Sequence, residues 1–119
     1  MKKKRTKESS PTTTDQEVID LCLNVCSSKK ALGPRVIDVR KKTDMTDYFL
    51  ICSGQSEVQV QAIADGMREC LKKNGVPLLH VEGYENGQWI LLDLGFIIIH
   101  VFCDYVRDIY DLEGLWGSS

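Results

Sequence analysis

The turn that follows residues 48–52 carries residue types that could hold a phosphate. Gly54 and Ser56 stand between that apolar run and a helical pattern, and backbone N–H groups at the start of a helix bind anions. Serine is also preferred at helix N-caps, so the same spacing is typical of an ordinary strand-to-helix turn. Two interpretations stay open: a nucleotide-dependent transferase that uses Gly54, Ser56 and Asp93, or a turn that binds no ligand.

Metal-dependent phosphoryl transfer needs carboxylates that alternate along a strand, so that both point to one face. Asp93 has Leu91 and Gly95 at the alternate positions, and Asp38 is likewise flanked by a valine and an arginine. Neither aspartate therefore belongs to a local pair that could hold two cations. This argues against two-metal catalysis.

The histidines and cysteines form no nucleophilic or zinc motif. His80 and His100 each lie in an apolar strand pattern, which is typical of a sheet histidine with a local hydrogen-bond partner. Cys22 and Cys26 share a helix face, but no further Cys or His follows at zinc spacing. We therefore expect no enzyme activity, no cofactor and no metal, with the thiols reduced in the core of an intracellular protein.

The remaining aromatic and acidic residues are typical of recognition. Trp89 lies in a strand pattern just after a turn, and tryptophan is enriched among interface hot spots. It is equally an ordinary core or cross-strand residue. Trp116 is predicted to anchor the C-terminal segment or to contact a partner. The acidic residues near these tryptophans in the sequence are Glu82, Glu85, Asp93 and Glu113.

Periodicity predicts the elements that position these residues. A first amphipathic helix begins at the Thr14–Glu17 capping box and continues until Gly33-Pro34. A second is capped by Ser56 and Gln59 and ends before Gly75. Strand patterns lie at residues 35–40, 48–52, 78–82, 88–93 and 96–103.

The C-terminal third predicts an antiparallel meander followed by a short helix. The strand at 96–103 is too apolar for an exposed edge and is expected inside the sheet. Asp104 is predicted to cap a final helix in which Val106, Ile109 and Tyr110 share a face. The order α-β-β-α-β-β-β-α then predicts an α/β (α+β) fold, a mixed five-stranded sheet with flanking helices.

Length and charge set further bounds. The 119 residues suit one domain, which we place at 14–116 after a disordered basic tail at 1–13. Residues 1–8 carry a net +4 and the remainder −6, which argues against phosphate-backbone binding and favours a basic protein partner. No apolar run reaches the roughly 20 residues of a membrane helix and no secretory signal is present, so we expect a cytoplasmic protein without membrane contact.

Segments spread along the chain share the order and spacing of one family's motifs. They lie at residues 46–56, 59–65, 82–83, 89–95 and 100–102, at Arg107 and at 110–116. Together they resemble the ribosomal silencing factor (Iojap-like) family over about residues 15–116. Phe96 departs from the family pattern, which usually has an acidic residue after the Leu94-Gly95 turn.

The resemblance implies a nucleotidyltransferase-like fold that has lost its catalytic acids. It also implies a partner, the large-subunit ribosomal protein L-fourteen, a basic protein beside an inter-subunit bridge. Occupying L-fourteen would prevent the small subunit from docking and would repress translation during starvation. Related proteins in organelles assist late assembly of the large subunit.

We predict a steric silencing factor, with large-subunit assembly as an alternative role and a nucleotidyltransferase as a further one. Its partner face would contain Trp89, Leu91 and Asp93, since alternate strand residues point the same way. Two copies of the free protein could also pair through this face as a homodimer. The predicted flanking residues are Glu82, Leu112, Glu113 and Trp116.

Overall fold

The computed structural model describes residues 14–117, so the predicted tail at residues 1–13 lies outside the described residues. The helices are α1 (Asp15–Ser28), α2 (Glu57–Lys73), α3 (Asp104–Tyr110) and α4 (Leu112–Gly117). The strands are β1 (Leu32–Asp38), β2 (Tyr48–Gly54), β3 (His80–Glu82), β4 (Trp89–Asp93) and β5 (Ile97–Cys103).

The five strands form one mixed sheet in the order β1-β2-β5-β4-β3. β5 lies at the centre, parallel to β2 and antiparallel to β4, and the two outer pairs are antiparallel. All seven residues of β5 are buried, which confirms that this apolar strand lies inside the sheet, with both edges paired. The predicted mixed five-stranded sheet with flanking helices is confirmed.

Helices α1 and α2 pack against each other, and α2 covers the centre of one sheet face. Val18 and Cys26 of α1 and Ile63 of α2 are completely or almost completely buried. On the sheet, Leu50 and Ile99 pair in register and are also inaccessible to solvent. The main apolar core therefore lies between this sheet face and the two long helices.

Both long helices begin at the predicted caps. The Thr14 hydroxyl accepts the backbone N–H of Glu17 at 3.1 Å, and the Glu17 carboxylate accepts the Thr14 N–H at 2.8 Å. Ser56 accepts the N–H of Gln59 at 3.1 Å, whereas the Gln59 side chain accepts from Gln55 instead of returning to Ser56. These bonds satisfy donors that the first helical turn leaves open.

The first helix is shorter than predicted. α1 ends at Ser28, and Gly33 and Pro34 lie inside β1 rather than at the helix end. Lys30 has a left-handed backbone conformation with φ of 60°, which a right-handed helix cannot continue. Proline is tolerated in β1 because β1 is an edge strand whose pairing register is interrupted at that point.

The single helix predicted at the C-terminus is two helices. They are separated at Asp111, whose left-handed backbone has φ of 47°. The predicted cap at Asp104 is wrong, because Asp104 is already helical and its carboxylate accepts a hydroxyl of β2 at 2.8 Å. Of the three residues predicted to share a face of that helix, Val106 is 6% exposed, whereas Ile109 and Tyr110 are 72% and 54% exposed.

Candidate partner-binding face

The sheet face opposite α1 and α2 holds the predicted contact residues. β4 alternates between buried residues, which point to the helices, and the half-buried Trp89, Leu91 and Asp93, which point to the other side. Glu82 pairs with Leu91 across the β3–β4 ladder and therefore points to the same side. The structure thus brings together Glu82, Trp89, Leu91 and Asp93, which we call the open patch.

Helices α3 and α4 cover the remainder of this face, over β1, β2 and β5. Trp116 of α4 meets Phe49 of β2 edge-on, with ring centroids 5.3 Å apart. Tyr110 at the end of α3 lies 4.7 Å from the Trp89 ring. α3 therefore borders the open patch through Tyr110, whereas α4 lies over β1 and β2. Neither helix covers the β3–β4 part of the face, whose residues are exposed or half-buried.

Trp89 is fixed by contacts within the protein. Its indole N–H donates to Nδ1 of His100 at 3.1 Å. Its ring lies 4.9 Å from the Phe102 ring and 4.7 Å from the Tyr110 ring. A large side chain that is ordered before binding loses little conformational freedom on binding, which favours a role as a hot spot.

His100 lies buried beside the open patch and orients the Trp89 indole. Burial lowers the pKa of His100 to about 4, because the imidazolium would lose its hydration. The ring is therefore neutral near pH 7. Because Nδ1 accepts the indole proton, the ring proton lies on Nε2, which has no hydrogen-bond partner among the described residues. The expectation of a sheet histidine with a local partner is confirmed at this position.

The turn at residues 83–87, which leads into Trp89, is tied to α2. Gln61 donates to the carbonyl of Tyr84 at 2.9 Å, and the Tyr84 hydroxyl donates to Asp65 at 3.1 Å. Gly83 has φ of +79°, and a Cβ there would lie 2.1 Å from the carbonyl oxygen of Trp89. Only glycine allows the backbone of residue 83 to come this close to the Trp89 carbonyl oxygen. The turn therefore fixes where β4 begins.

Arg107 joins the two C-terminal helices to the sheet. Its guanidinium donates to the carbonyls of Leu32 and Gly33 at 3.1 and 2.6 Å and to the Ser53 hydroxyl at 3.2 Å. Two further N–H groups donate to one carboxylate oxygen of Glu113, at 3.0 and 2.7 Å. These bonds connect α3, α4, β1 and β2 at one buried cation, so the position of α4 depends on Arg107.

The flanking residues predicted on α4 belong to a helix that packs on β1 and β2, on the far side of β5 from the open patch. Glu113 has an internal partner in Arg107, whose N–H groups lower the pKa of the Glu113 carboxyl by stabilising its anion. Trp116 packs on Phe49 and its carbonyl accepts from Lys42, as an anchor of the C-terminal segment would. Leu112 is half-buried against the core. Contact of these residues with a partner stays a prediction.

The turn after β4 fixes Asp93 at one end of the open patch. The Asp93 Oδ1 accepts the N–H of Gly95 at 2.8 Å, and Gly95 has φ of +91°. Phe96, the departure from the family pattern, is 7% exposed. Position 96 therefore serves packing in this protein, and the carboxylates of the open patch come from Asp93 and Glu82.

The groups required by the transferase interpretation are far apart. Gly54 pairs with Cys103 at the end of β5, whereas Asp93 pairs with Ile98 near its beginning. Five residues along the strand separate these positions, or about 16 Å at roughly 3.3 Å per residue. Gly54 and Ser56 therefore have no geometric link to Asp93, and the turn acts as a helix cap.

The cysteines are packing residues in the structure. All five are free thiols, and four of them are buried. Burial raises the pKa of Cys22 to about 12, so that thiol stays protonated. Within residues 14–117, no three potential ligands among His, Cys, Asp and Glu gather as a metal site. In the same range, no helix combines the length and apolar character needed to cross a bilayer.

Two contacts that organise this face were not predicted, the one between Arg107 and Glu113 and the one between Tyr110 and Trp89. Arg107 is the only basic residue between positions 104 and 117, where four acidic residues also lie; this imbalance is a signal that could have indicated an internal ion pair. The packing of Tyr110 on Trp89 has no such signal, because it depends on how α3 lies across the sheet.

Comparison with known proteins identifies relatives along nearly the whole chain. Residues 12–119 match a family model described as ribosomal silencing factor during starvation. A ribosomal silencing factor of Halalkalibacterium halodurans is 39% identical over 106 residues, which cover 89% of this chain and 91% of that protein. A crystal structure of a Chromobacterium violaceum protein superposes with a TM-score of 0.86 at 34% identity, covering 90% of this chain and 89% of the other.

A more distant relative is the mouse protein named mitochondrial assembly of ribosomal large subunit protein 1. It is 32% identical over 101 residues, which cover 82% of this chain but only 44% of the mouse protein.

Proposed function

Because this chain belongs to the ribosomal silencing factor family, we propose that it binds the large ribosomal subunit through ribosomal protein L-fourteen and so blocks joining of the small subunit. It acts as an obstacle in the cytoplasm, without a catalytic step or a cofactor. The described residues measure 40 × 34 × 22 Å. A body of that size on a protein beside an inter-subunit bridge would occupy the space that the other subunit needs.

The open patch is the observation that supports this proposal. Trp89 and Leu91 offer apolar area next to the carboxylates of Glu82 and Asp93, and Tyr110 of α3 packs on the Trp89 ring at one border. Desolvated aromatic residues supply most of the affinity at protein interfaces. Carboxylates next to them steer and orient a basic partner such as the one that the family resemblance implies.

Binding to purified large subunits, measured by co-sedimentation, tests the proposal. Trp89→Ala is expected to lose about 2–4 kcal/mol of binding free energy, a change of roughly 30- to 1000-fold in Kd. Asp93→Asn is the second variant, because the amide oxygen can still accept the Gly95 N–H while the negative charge is lost. We expect it to weaken binding as well, with a slower association rate.

Val58→Ala is the matched control. Val58 is 76% exposed on α2, on the side of the molecule away from the open patch, and its truncation should leave binding unchanged. Melting temperatures of all three variants establish that the fold persists. Wild-type affinity in both Trp89→Ala and Asp93→Asn, with the domain folded, would show that the open patch is not the contact surface.

An assembly role is a second candidate, favoured by the name of the mouse relative. It uses the same contact and differs only in when the contact is made. Deleting the gene and profiling ribosomal particles separates the two roles. Immature large subunits would accumulate if the protein assists assembly, whereas excess joined ribosomes during starvation would appear if it silences mature subunits.

Self-association of the free protein would use the same apolar side chains of Trp89 and Leu91. Burying them between two copies would remove apolar area from water. A homodimer of this kind would have to dissociate before binding the ribosome. Sedimentation equilibrium of the wild type and Trp89→Ala would detect it as a concentration-dependent mass that the variant lacks.

A further inference from the structure

A second surface lies at the edge of the sheet, on the side of α2. It is a groove of about 590 Å³ between the C-terminal half of α2 and the segment 76–81. Val81 pairs with the buried Leu92, so its side chain points to the helices and away from the open patch. The groove has an aliphatic floor and a basic rim, formed by Leu71, Val76, Leu78 and Val81 and by Arg68 and Lys72.

One wall of this groove is the last strand of the sheet. β3 pairs with β4 on one side and has no strand on its other side among residues 14–117. Such an edge presents backbone N–H and C=O groups that an extended chain can pair with. Leu79, directly before β3, is 64% exposed, which extends the apolar surface along this edge.

The positive charge at the rim of the groove favours a negatively charged peptide. Arg68 and Lys72 are both exposed on α2, one helical turn apart. The Arg68 guanidinium also lies 5.8 Å from the centroid of the Tyr84 ring, outside the groove lining. None of the described lining residues is acidic, in a chain whose residues 9–119 carry a net charge of −6. The groove is therefore complementary to carboxylates.

We propose that this groove binds an extended peptide segment of a partner protein that carries both carboxylate and aliphatic side chains. The segment adds to the outer edge of β3 as a further strand. Its aliphatic side chains pack on the half-buried Leu78 and Val81, and its carboxylates pair with Arg68 and Lys72. This site differs from the open patch in charge and lies on the other side of the sheet, although both include residues of β3.

The test uses an acetylated octapeptide of two glutamates followed by two valines, repeated once. Because side chains alternate along a strand, each face of this peptide offers both residue types. It is titrated into the nitrogen-15-labelled full chain, and amide chemical shifts are followed by NMR. We expect saturable shifts at residues 68–72 and 76–82, and no saturable shifts with the same peptide carrying lysine for glutamate.

Lys72→Glu and Lys73→Glu form a matched pair, since both residues lie in the last turn of α2 but only Lys72 lines the groove. Lys72→Glu is expected to raise the Kd of the peptide about tenfold, equivalent to about 1.4 kcal/mol. Lys73→Glu should change it by less than about threefold. Co-sedimentation of either variant with large subunits should match the wild type.

Several results would overturn the proposal. They are equal binding of the lysine peptide, equal effects of the two charge reversals, shifts confined to the open patch, or no shift at peptide concentrations of about 1 mM. Concentration-dependent shifts at residues 76–82 in the absence of peptide would assign the edge to a second copy of this chain instead.

Discussion

Replacing Arg107 with alanine tests whether one buried cation holds α3 and α4 on the sheet. The variant loses five hydrogen bonds. It also leaves the Glu113 carboxylate, with a side chain only 21% exposed, without its cation. Removing one partner of a buried ion pair costs about 3–5 kcal/mol. Since small domains are stable by about 5–15 kcal/mol, the loss of unfolding free energy should be large.

The pH dependence of the same variant gives an independent readout. Arg107 lowers the pKa of Glu113, so the ionised carboxylate stabilises the fold above the pKa of the unfolded chain, about 4.3. This stabilisation is lost as the pH falls through the lower pKa of the folded state. In Arg107→Ala the folded-state pKa should rise, because the charge-assisted hydrogen bonds are absent and burial then disfavours the anion. The ionised Glu113 carboxylate should then no longer stabilise the fold of the variant, and the folded variant should favour the protonated carboxyl.

The assay is urea unfolding followed by far-ultraviolet circular dichroism at pH 7 and at about pH 3.5, below the unfolded-chain pKa of about 4.3. Arg40→Ala is the control, since Arg40 also binds a carboxylate, that of Asp38, but the two side chains are 56% and 49% exposed. Solvent screens such a pair, and its removal should leave the midpoint nearly unchanged. Equal midpoint shifts in the two variants, or an unchanged midpoint in Arg107→Ala, would refute the anchoring role of Arg107.

Two further outcomes follow from the structure. Gly83→Ala should lower the free energy of unfolding by on the order of 3 kcal/mol, because the added Cβ would lie 2.1 Å from a backbone oxygen. Gly75→Ala is the control, since Gly75 has φ of +72° but an added Cβ meets nothing within 4 Å. It should lower the melting temperature much less than Gly83→Ala does. The pKa of the buried His100 is lowered to about 4. As the pH falls below about 6.5, the imidazole is therefore protonated in the unfolded chain before it is protonated in the folded protein. The free energy of unfolding should drop by on the order of 3 kcal/mol between pH 6.5 and 4. Unfolding midpoints measured across this pH range should depend less on pH in His100→Asn than in the wild type. The same pH dependence in both proteins would contradict a buried, neutral His100.

The order of elements and much of their placement could be predicted from local patterns. The capping pair of Thr14 and Glu17 located the start of α1, and the apolar run of β5 predicted its place inside the sheet. Strand alternation placed Trp89, Leu91 and Asp93 on one side. These features depend on the helical period, the strand period and cap chemistry, all of which act over a few neighbouring residues.

The features that local patterns did not predict depend on contacts between segments far apart in the chain. Glu113 was predicted as a partner contact, and only the position of α4 shows that its carboxylate binds Arg107. The hydrogen bond from Trp89 to His100 depends on the register between β4 and β5, which neither strand encodes by itself. The sequence alone determined which side chains share a strand face, because alternation is local. The tertiary structure decided which part of that face α3 and α4 cover and where a groove opens beside β3, because both depend on packing between elements far apart in the chain.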